Sequence, residues 1–394
     1  MSLPRIENAD VQNQRVFVRA DFDLACDARG NISLPYALEK TADTIQGLLT
    51  RGASVVLGGH LGDPGNQRGE NAGLEKVLDF LGKRLGVPLE LVGKNEAFKS
   101  DKLKKAAPGE VFLLDNLLNF PGETKNSPDF ATKLAEIADI SVNDAFAASR
   151  YELASTLGIA RFLPSFAGGN LYRDADAVQS LLSPDHKPLM LALGGVNLKG
   201  KTSLIKYLFQ KQLHTLLIGG AIANTFLKSR AVPVGASAFE AEMQVDAFQI
   251  IEKAELSHVD LHLPLDYVVA ERMEQNAKSK NAGKMDIPEQ WQALDIGPKT
   301  LSLFEKSLKK AGSILWYGPL GAAEVPRFAK HSLGFARALA KSKARRVVLG
   351  QKTVRLLQEA NMLDKVGHVC LSSESALKLL MNEPLPGLDA LRKK

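Results

Sequence analysis

The sequence predicts an α/β chain of two doubly wound, parallel-sheet (Rossmann-like) domains joined by a hinge helix. Three observations carry that expectation. Short apolar runs alternate with amphipathic helical runs along the whole chain, the pattern of βαβ units. Several runs end on polar residues or glycines, as strands do where a ligand crevice lies outside their carboxyl ends. A length of 394 residues, 45% of them apolar, also exceeds what one core ordinarily holds.

In the first half, Gln14-Arg-Val-Phe-Val-Arg-Ala-Asp21-Phe-Asp23 reads as a buried strand ending in two carboxylates. Thr41 to Leu49 has helical spacing, and Ala53-Ser-Val-Val-Leu-Gly-Gly59-His60 is a strand entering a glycine loop. An amphipathic helix, Leu74 to Leu85, precedes a strand at Val87 to Val92. Val111-Phe-Leu-Leu-Asp115-Asn116 is a fourth strand, Phe130 to Ala138 a helix, and Ile140-Ser-Val-Asn143-Asp144 a fifth strand. Asp21 and Asp23, His60, Asn116, then Asn143 and Asp144 thus arrive at one sheet edge. Any one of them alone reads as a cap for the helix that follows. Repetition at successive strand ends predicts a shared crevice.

The helix of Leu171 to Leu182, stopped by Pro184, marks the boundary. It divides the chain into an N-terminal domain 1–168, a connecting helix 169–184 and a C-terminal domain 185–380. The second domain opens on Pro188-Leu-Met-Leu-Ala-Leu-Gly194-Gly195-Val-Asn197-Leu-Lys199-Gly200-Lys201-Thr202-Ser203, a strand, a glycine turn and a helix start. Free N–H groups and a lysine at a helix N-terminus suit phosphate. The stretch Gly195-x-x-x-x-Gly200-Lys201-Thr202 also satisfies the P-loop pattern, a short motif with many accidental matches. Further strands are expected at Thr215 to Ala221, Asp260 to Pro264, Ser313 to Pro319 and Arg345 to Gly350, with a helix at Asn224 to Lys228. Their glycines, Gly219 and Gly220 among them, let a ligand approach the backbone, or simply make tight turns.

Composition narrows the function classes. No apolar run approaches the roughly 20 residues that span a bilayer, and the N-terminus lacks a signal-peptide segment. Two cysteines, Cys26 and Cys370, far apart and in no metal-ligand spacing, fit a reduced, cytoplasmic protein without a structural metal. The net charge of +6 is spread over helix faces and ends such as Lys102 to Lys105, Lys341 to Arg346 and Arg392 to Lys394. Aromatics for base stacking are not interleaved, which disfavours nucleic acid.

The order of segments resembles the phosphoglycerate kinase family over nearly the whole chain. The resemblance is carried by Arg15-Val-Phe-Val-Arg-Ala-Asp-Phe, Gly59-His-Leu-Gly-Asp-Pro64, Asp115-Asn-Leu-Leu-Asn-Phe-Pro-Gly-Glu123 and Val142-Asn-Asp-Ala-Phe146. It continues through Ala154 to Ser165, Gly219-Gly-Ala-Ile-Ala-Asn-Thr-Phe226, Leu294-Asp-Ile-Gly-Pro-Lys-Thr300, Trp316-Tyr-Gly-Pro-Leu-Gly321 and Leu385 to Leu391. It implies the family's fold, with the tail 381–394 packed back on the N-terminal domain. It also implies glycolytic phosphate transfer between 1,3-bisphosphoglycerate and ADP, with Mg-ATP or Mg-ADP on the C-terminal side, in a soluble monomer whose cleft closes about a hinge. The P-loop match becomes accidental, because Lys201 takes the place of the second lysine of the family's Gly-Gly-Ala-Lys-Val-x-x-Lys.

Residue by residue, the resemblance retains Asp21, His60, Asn116, Gly195, Lys201, Gly219, Gly220, Pro319 and Glu324, the last a contact to the ribose hydroxyls. It also shows departures. The family's crevice arginines fall at Ala37, Asp63, Leu118 and Tyr151, and its two histidines at Arg150 and Leu153. Asn197 replaces the first loop lysine, Tyr317 the Asn of Trp-Asn-Gly-Pro, and Lys352 the Asp that holds the magnesium nucleotide. Ser372-Ser373-Glu374 stands for the phosphate-binding Gly-Gly-Gly. One missing transition-state donor costs about 10²–10³ in rate, and an arginine on the transferred phosphoryl about 10³–10⁵. The expectation is therefore loss of phosphotransfer, with a nucleotide or small anionic ligand and an unidentified protein partner as what remains to be bound. Two alternatives stand beside it: a divergent but active kinase using Arg150, Lys199, Lys201 and Lys352 as replacement charges, and a nucleotide-binding module without transfer.

Overall fold

The computed structural model describes residues 3–23, 25–27, 29–66, 74–99 and 101–392. The chain divides into two compact units: residues 1–176 with 374–394, and residues 177–373.

In unit 1 the elements run β1 (Arg15–Arg19), α1 (Pro35–Thr50), β2 (Ser54–Gly58), α2 (Leu74–Leu85), β3 (Leu89–Val92), β4 (Val111–Leu114), α3 (Pro128–Glu136), β5 (Ile140–Asn143), β6 (Ser165–Ala167) and α4 (Gly169–Ser180), whose last residues belong to unit 2. They form a six-stranded sheet of order β3-β4-β2-β1-β5-β6, every pairing parallel. Successive residues of a strand face opposite sides, so a parallel sheet covered on both faces needs continuous apolar runs. Val16, Val18, Val55, Leu57, Val111 and Leu113 fill one face, packed by Leu38, Ile45 and Leu81 of the helices. Phe17, Val56, Phe112 and Leu114 fill the other, against Phe130 and Leu134. Helix α1 begins at Pro35, six residues before the expected Thr41. Proline at a first helical position already has the right φ and no N–H to strand.

Unit 2 continues with β7 (Leu189–Leu193), α5 (Thr202–Gln210), β8 (Leu213–Ile218), α6 (Ile222–Ser229), α7 (Gln244–Leu256), β9 (Asp260–His262), β10 (Asp266–Ala270), β11 (Ser279–Gly283), β12 (Gln292–Ile296), α8 (Pro298–Leu308), β13 (Ser313–Tyr317), α9 (Lys330–Ala340), β14 (Arg345–Leu349), α10 (Gln351–Glu359) and β15 (His368–Cys370). Its main sheet, β15-β14-β13-β7-β8-β9, is again parallel throughout. A second sheet, β11-β10-β12, is antiparallel and was not expected. Strand β11 reads Ser-Lys-Asn-Ala-Gly, with no apolar alternation of its own; pairing with the Tyr-Val-Val core of β10 makes it a strand.

The chain returns to unit 1 through α11 (Ser373–Leu380) and α12 (Pro386–Arg392). This return starts at Glu374, earlier than the expected residue 381. Ser375 Oγ donates to the Ala147 carbonyl at 3.2 Å, and Glu374 pairs with Arg150, so α11 is already anchored there. Asn143 Nδ2 further donates to the Gly387 carbonyl at 3.0 Å. Lys393 and Lys394, part of the expected basic tail, lie outside the described residues. Among the described residues no helix is long and apolar enough to cross a membrane.

Candidate functional site

In a doubly wound sheet the ligand edge is the carboxyl end of the strands at the point where strand order reverses. That point lies between β1 and β5 in unit 1, and between β7 and β13 in unit 2.

At the unit 1 edge the chain buries charge. Arg19, the last residue of β1, has no exposed surface. Its Nε donates to Ser155 Oγ at 3.0 Å, and its other nitrogens reach the Ala20 carbonyl and His60 Nδ1. Ser155 in turn donates from its N–H to Glu123 Oε2 at 3.0 Å, and Glu123 is fully buried. Burial holds the His60 imidazole neutral, well below its ordinary pKa, helped by the Arg19 and Arg150 charges. Burial pushes the Asp21 carboxyl up to about 6, against the Arg19 charge and two N–H donors, Ala147 at 2.7 Å and Ala148 at 3.1 Å. Loss of water also raises Asp23, which accepts from the Gly62 N–H at 3.1 Å. Arg19, Glu123 and Ser155 were not among the expected site residues. The signal for Arg19 was its charge inside an apolar run; nothing local marked Ser155.

Two of the expected strand-end groups are structural. Asn116 is fully buried, donates to the Leu61 carbonyl and accepts from the Leu118 N–H, so it pins two loops to each other. Asp144 accepts from the N–H groups of Asn170 and Leu171 and from the Thr44 hydroxyl, and so caps α4 from a distance. Repetition at strand ends pointed to a crevice; for these two residues capping and loop pinning account for the side chain.

Beyond the network lies a chain of surface contacts. Arg150 Nε pairs with Glu374 at 3.0 Å, Arg150 Nη2 donates to Tyr151 Oη at 2.7 Å, and Tyr151 donates to Asp63 Oδ1 at 3.3 Å. The guanidinium also lies over the Tyr151 ring. Ala37 and Leu118 pack into the hydrophobic interior as apolar residues do.

Unit 2 is arranged differently. Its loops approach so closely that no side chain fits between them. A Cβ on Gly194 would lie 2.0 Å from the Pro319 carbonyl oxygen, and one on Gly220, where φ is +60°, 2.5 Å from the Gly195 nitrogen. The Gly195 N–H donates to the Pro319 carbonyl at 2.7 Å, Gly219 to Leu193 and Gly220 to Leu320, each at 2.8 Å. These glycines therefore knit β7, β8 and β13 together, and their N–H groups are used in doing so.

The charge at this edge is Lys201, buried at the start of α5. Its ammonium donates to the Asn197 carbonyl at 2.8 Å and sits 4.7 Å from the centre of the Tyr317 ring. Burial lowers its pKa, with the Glu240 charge opposing. A Cβ on Gly350, where φ is +95°, would meet the Tyr317 ring at 3.2 Å. Two residues on, Lys352 Nζ pairs with Glu324 Oε1 at 2.7 Å. Against the upward push of partial burial, that hydrogen bond holds Glu324 below its ordinary pKa. Both side chains are more than half exposed, so the pair stabilises by only about 0.2–1 kcal/mol and is readily exchanged for a better partner.

A divalent cation at this edge needs hard oxygen ligands with negative charge. Lys352 brings a positive charge to this edge, Glu324 is engaged by that lysine, and Glu240 accepts from the Leu198 and Lys199 N–H groups. Among the described residues no group of three His, Cys, Asp or Glu is placed to hold a metal. The residues here do not fit a protein-held magnesium ion.

A model of the family described as phosphoglycerate kinase matches residues 6–383. Two phosphoglycerate kinases are 37% identical to this chain. That of Leptospira biflexa matches over 99% of this chain and 98% of its own length, and that of Desulforudis audaxviator over 98% of each. A solved phosphoglycerate kinase from Coxiella burnetii superposes with a TM-score of 0.85 at 31% identity, covering 100% of this chain and 99% of its own. One from Pyrococcus horikoshii, 24% identical, shares the fold with a TM-score of 0.84 over 99% of this chain and 98% of its own. The chain belongs to the phosphoglycerate kinase family, which is a family of phosphotransferases.

These findings overturn the expected loss of phosphotransfer: kinship to phosphoglycerate kinases from end to end points to an ordinary member. The expectation had rested on the missing crevice arginines at Ala37, Asp63, Leu118 and Tyr151, on Asn197 and Lys352, and on two carboxylates brought in at Asp63 and Glu374. Both carboxylates are partnered, Glu374 by Arg150 and Asp63 by the Tyr151 hydroxyl and the Gly65 N–H, so neither stands as a bare negative charge.

Proposed function

We propose that this chain is a phosphoglycerate kinase, transferring a phosphoryl group between ATP and the carboxylate of 3-phosphoglycerate. The observation that carries the reading is the match at 37% identity over 99% of the chain, which takes in both units. In the direction of ATP use, a carboxylate oxygen of 3-phosphoglycerate forms a bond to the terminal phosphorus as the bond to the bridging oxygen breaks, and ADP leaves. Such a reaction asks the protein for positioning and positive charge rather than covalent chemistry.

On this reading unit 1 holds the triose phosphate and unit 2 the nucleotide. Arg150 is the exposed-edge cation of unit 1, with nitrogens beyond the one bound to Glu374 to offer an incoming anion. Lys201, desolvated and held by one carbonyl, is poised for phosphate on unit 2, with Lys199 two residues before it and Lys352 at the start of α10 as further cations. The Glu324 carboxylate suits sugar hydroxyls once Lys352 leaves it. His60, kept neutral, and Asp21 shape the unit 1 edge.

The test is ATP consumption dependent on 3-phosphoglycerate, followed by a coupled assay beside an ordinary family member. Turnover that falls by about tenfold or more in Arg150→Ala supports the reading and its replacement charge. A background rate in the unsubstituted protein would sink it.

A further inference from the structure

We infer that unit 2 binds its nucleotide as the free polyphosphate, with the Lys352 ammonium supplying the positive charge that a protein-held divalent cation supplies elsewhere. The inference rests on the phosphoglycerate kinase reading and names which form of the nucleotide that site takes.

Three features lead to it. The first is the sign of the charge: Lys201 follows β7 and Lys352 follows β14, while the two acids of this edge are already engaged. A magnesium-bound diphosphate presents little net charge to two ammonium groups, and the ion lacks a carboxylate to complete its shell. A free diphosphate presents its full charge to both.

The second is availability. Lys352 sits at the N-terminal end of α10, where free N–H groups and the helix dipole also favour an anion. Its present partner is a surface ion pair, more than half exposed on both sides, and so is easily given up. The third is Lys201, which has lost most of its water and whose direct contacts are a carbonyl and a ring face, with the Glu240 carboxylate acting on it only through its charge. A buried ammonium of this kind gains most from a phosphate oxygen.

The structure thus assigns the roles in a chemical order. The phosphates take Lys352 from Glu324, and the freed Glu324 accepts the ribose hydroxyls. No step needs a metal held by the protein. Lys352 is a specificity-determining residue: it sets which ionic form of the nucleotide is preferred.

The experiment is calorimetric titration of the full chain with ADP, once in EDTA and once in excess magnesium. The inference predicts that ADP binds at least as tightly in EDTA as in magnesium. It predicts that Lys352→Ala weakens the EDTA affinity by about tenfold, the effect of about 1.4 kcal/mol. Lys352→Asp is predicted to reverse the preference, so that magnesium tightens binding. Lys352 is exposed, so these variants keep the fold, which circular dichroism checks. Native binding that tightens about tenfold or more with magnesium overturns this inference alone, and so does an unchanged EDTA affinity in Lys352→Ala. Absence of ADP binding in both buffers overturns the inference and the kinase reading together.

Discussion

At its ligand edge unit 1 buries charged side chains, whereas unit 2 buries backbone. Arg19, His60, Ser155 and Glu123 satisfy one another inside unit 1, and Asp21 leans on two N–H groups of the following loop. In unit 2 the corresponding loops touch through glycines, with one lysine left among them. The sheets share a plan, yet the first relies on side-chain identity and the second on the absence of side chains. Substitutions should therefore act differently at the two edges.

Glu123→Ala should act most strongly. It leaves Arg19 buried without the larger of its two counter-charges, only Asp21 remaining, at a cost of about 3–5 kcal/mol, read from chemical unfolding. Lys201→Met, by contrast, should leave stability nearly intact but lower kcat about 10²–10³-fold, as the loss of one transition-state donor does. A small loss of rate there would mean that unit 2 does not depend on its single buried cation.

A third contrast is one of pH. Burial raises Asp144 from 3.8 to about 6 in the folded chain. Between those values the folded protein holds a proton that the unfolded chain has released, so stability falls as pH rises through this window and levels off above it. Relative to Asp144→Asn, the native chain should lose about 2 kcal/mol from pH 4 to pH 6, seen in urea midpoints across that range. Gly194→Ala probes the backbone edge of unit 2. Its methyl group would press on the Pro319 carbonyl, with an expected loss of about 1–3 kcal/mol in thermal or urea unfolding. The smallest effect is expected at Glu374→Gln, which frees Arg150 from its ion pair. It should lower KM for 3-phosphoglycerate a few-fold, in line with the roughly 0.2–1 kcal/mol of such a pair.

Much of this architecture was legible because parallel sheets covered on both faces write themselves as apolar runs, such as Val16 to Val18 and Leu189 to Leu193. Strand β11 was not, since its Ser-Lys-Asn-Ala-Gly carries no pattern without β10 beside it. The site was legible as a set of strand ends and glycines. What each residue does there was not. Asn116 and Asp144 spend their polar atoms on loops and a helix start, and the glycine N–H groups are taken by neighbouring loops. The contact of Arg150 with Glu374 joins residues 224 positions apart, beyond any local signal. Without that contact, Glu374 reads only as a carboxylate standing for a phosphate-binding glycine.

The most direct measurement is to trap the product. Phosphorylation of 3-phosphoglycerate on its carboxylate gives an acyl phosphate, which hydroxylamine converts to a hydroxamate. The purified chain, given ATP, 3-phosphoglycerate and hydroxylamine, should form hydroxamate within about a hundredfold of an ordinary family member's rate, the cost of one lost donor. Hydroxamate no higher than in the enzyme-free control, from protein shown to be folded, would contradict the kinase reading.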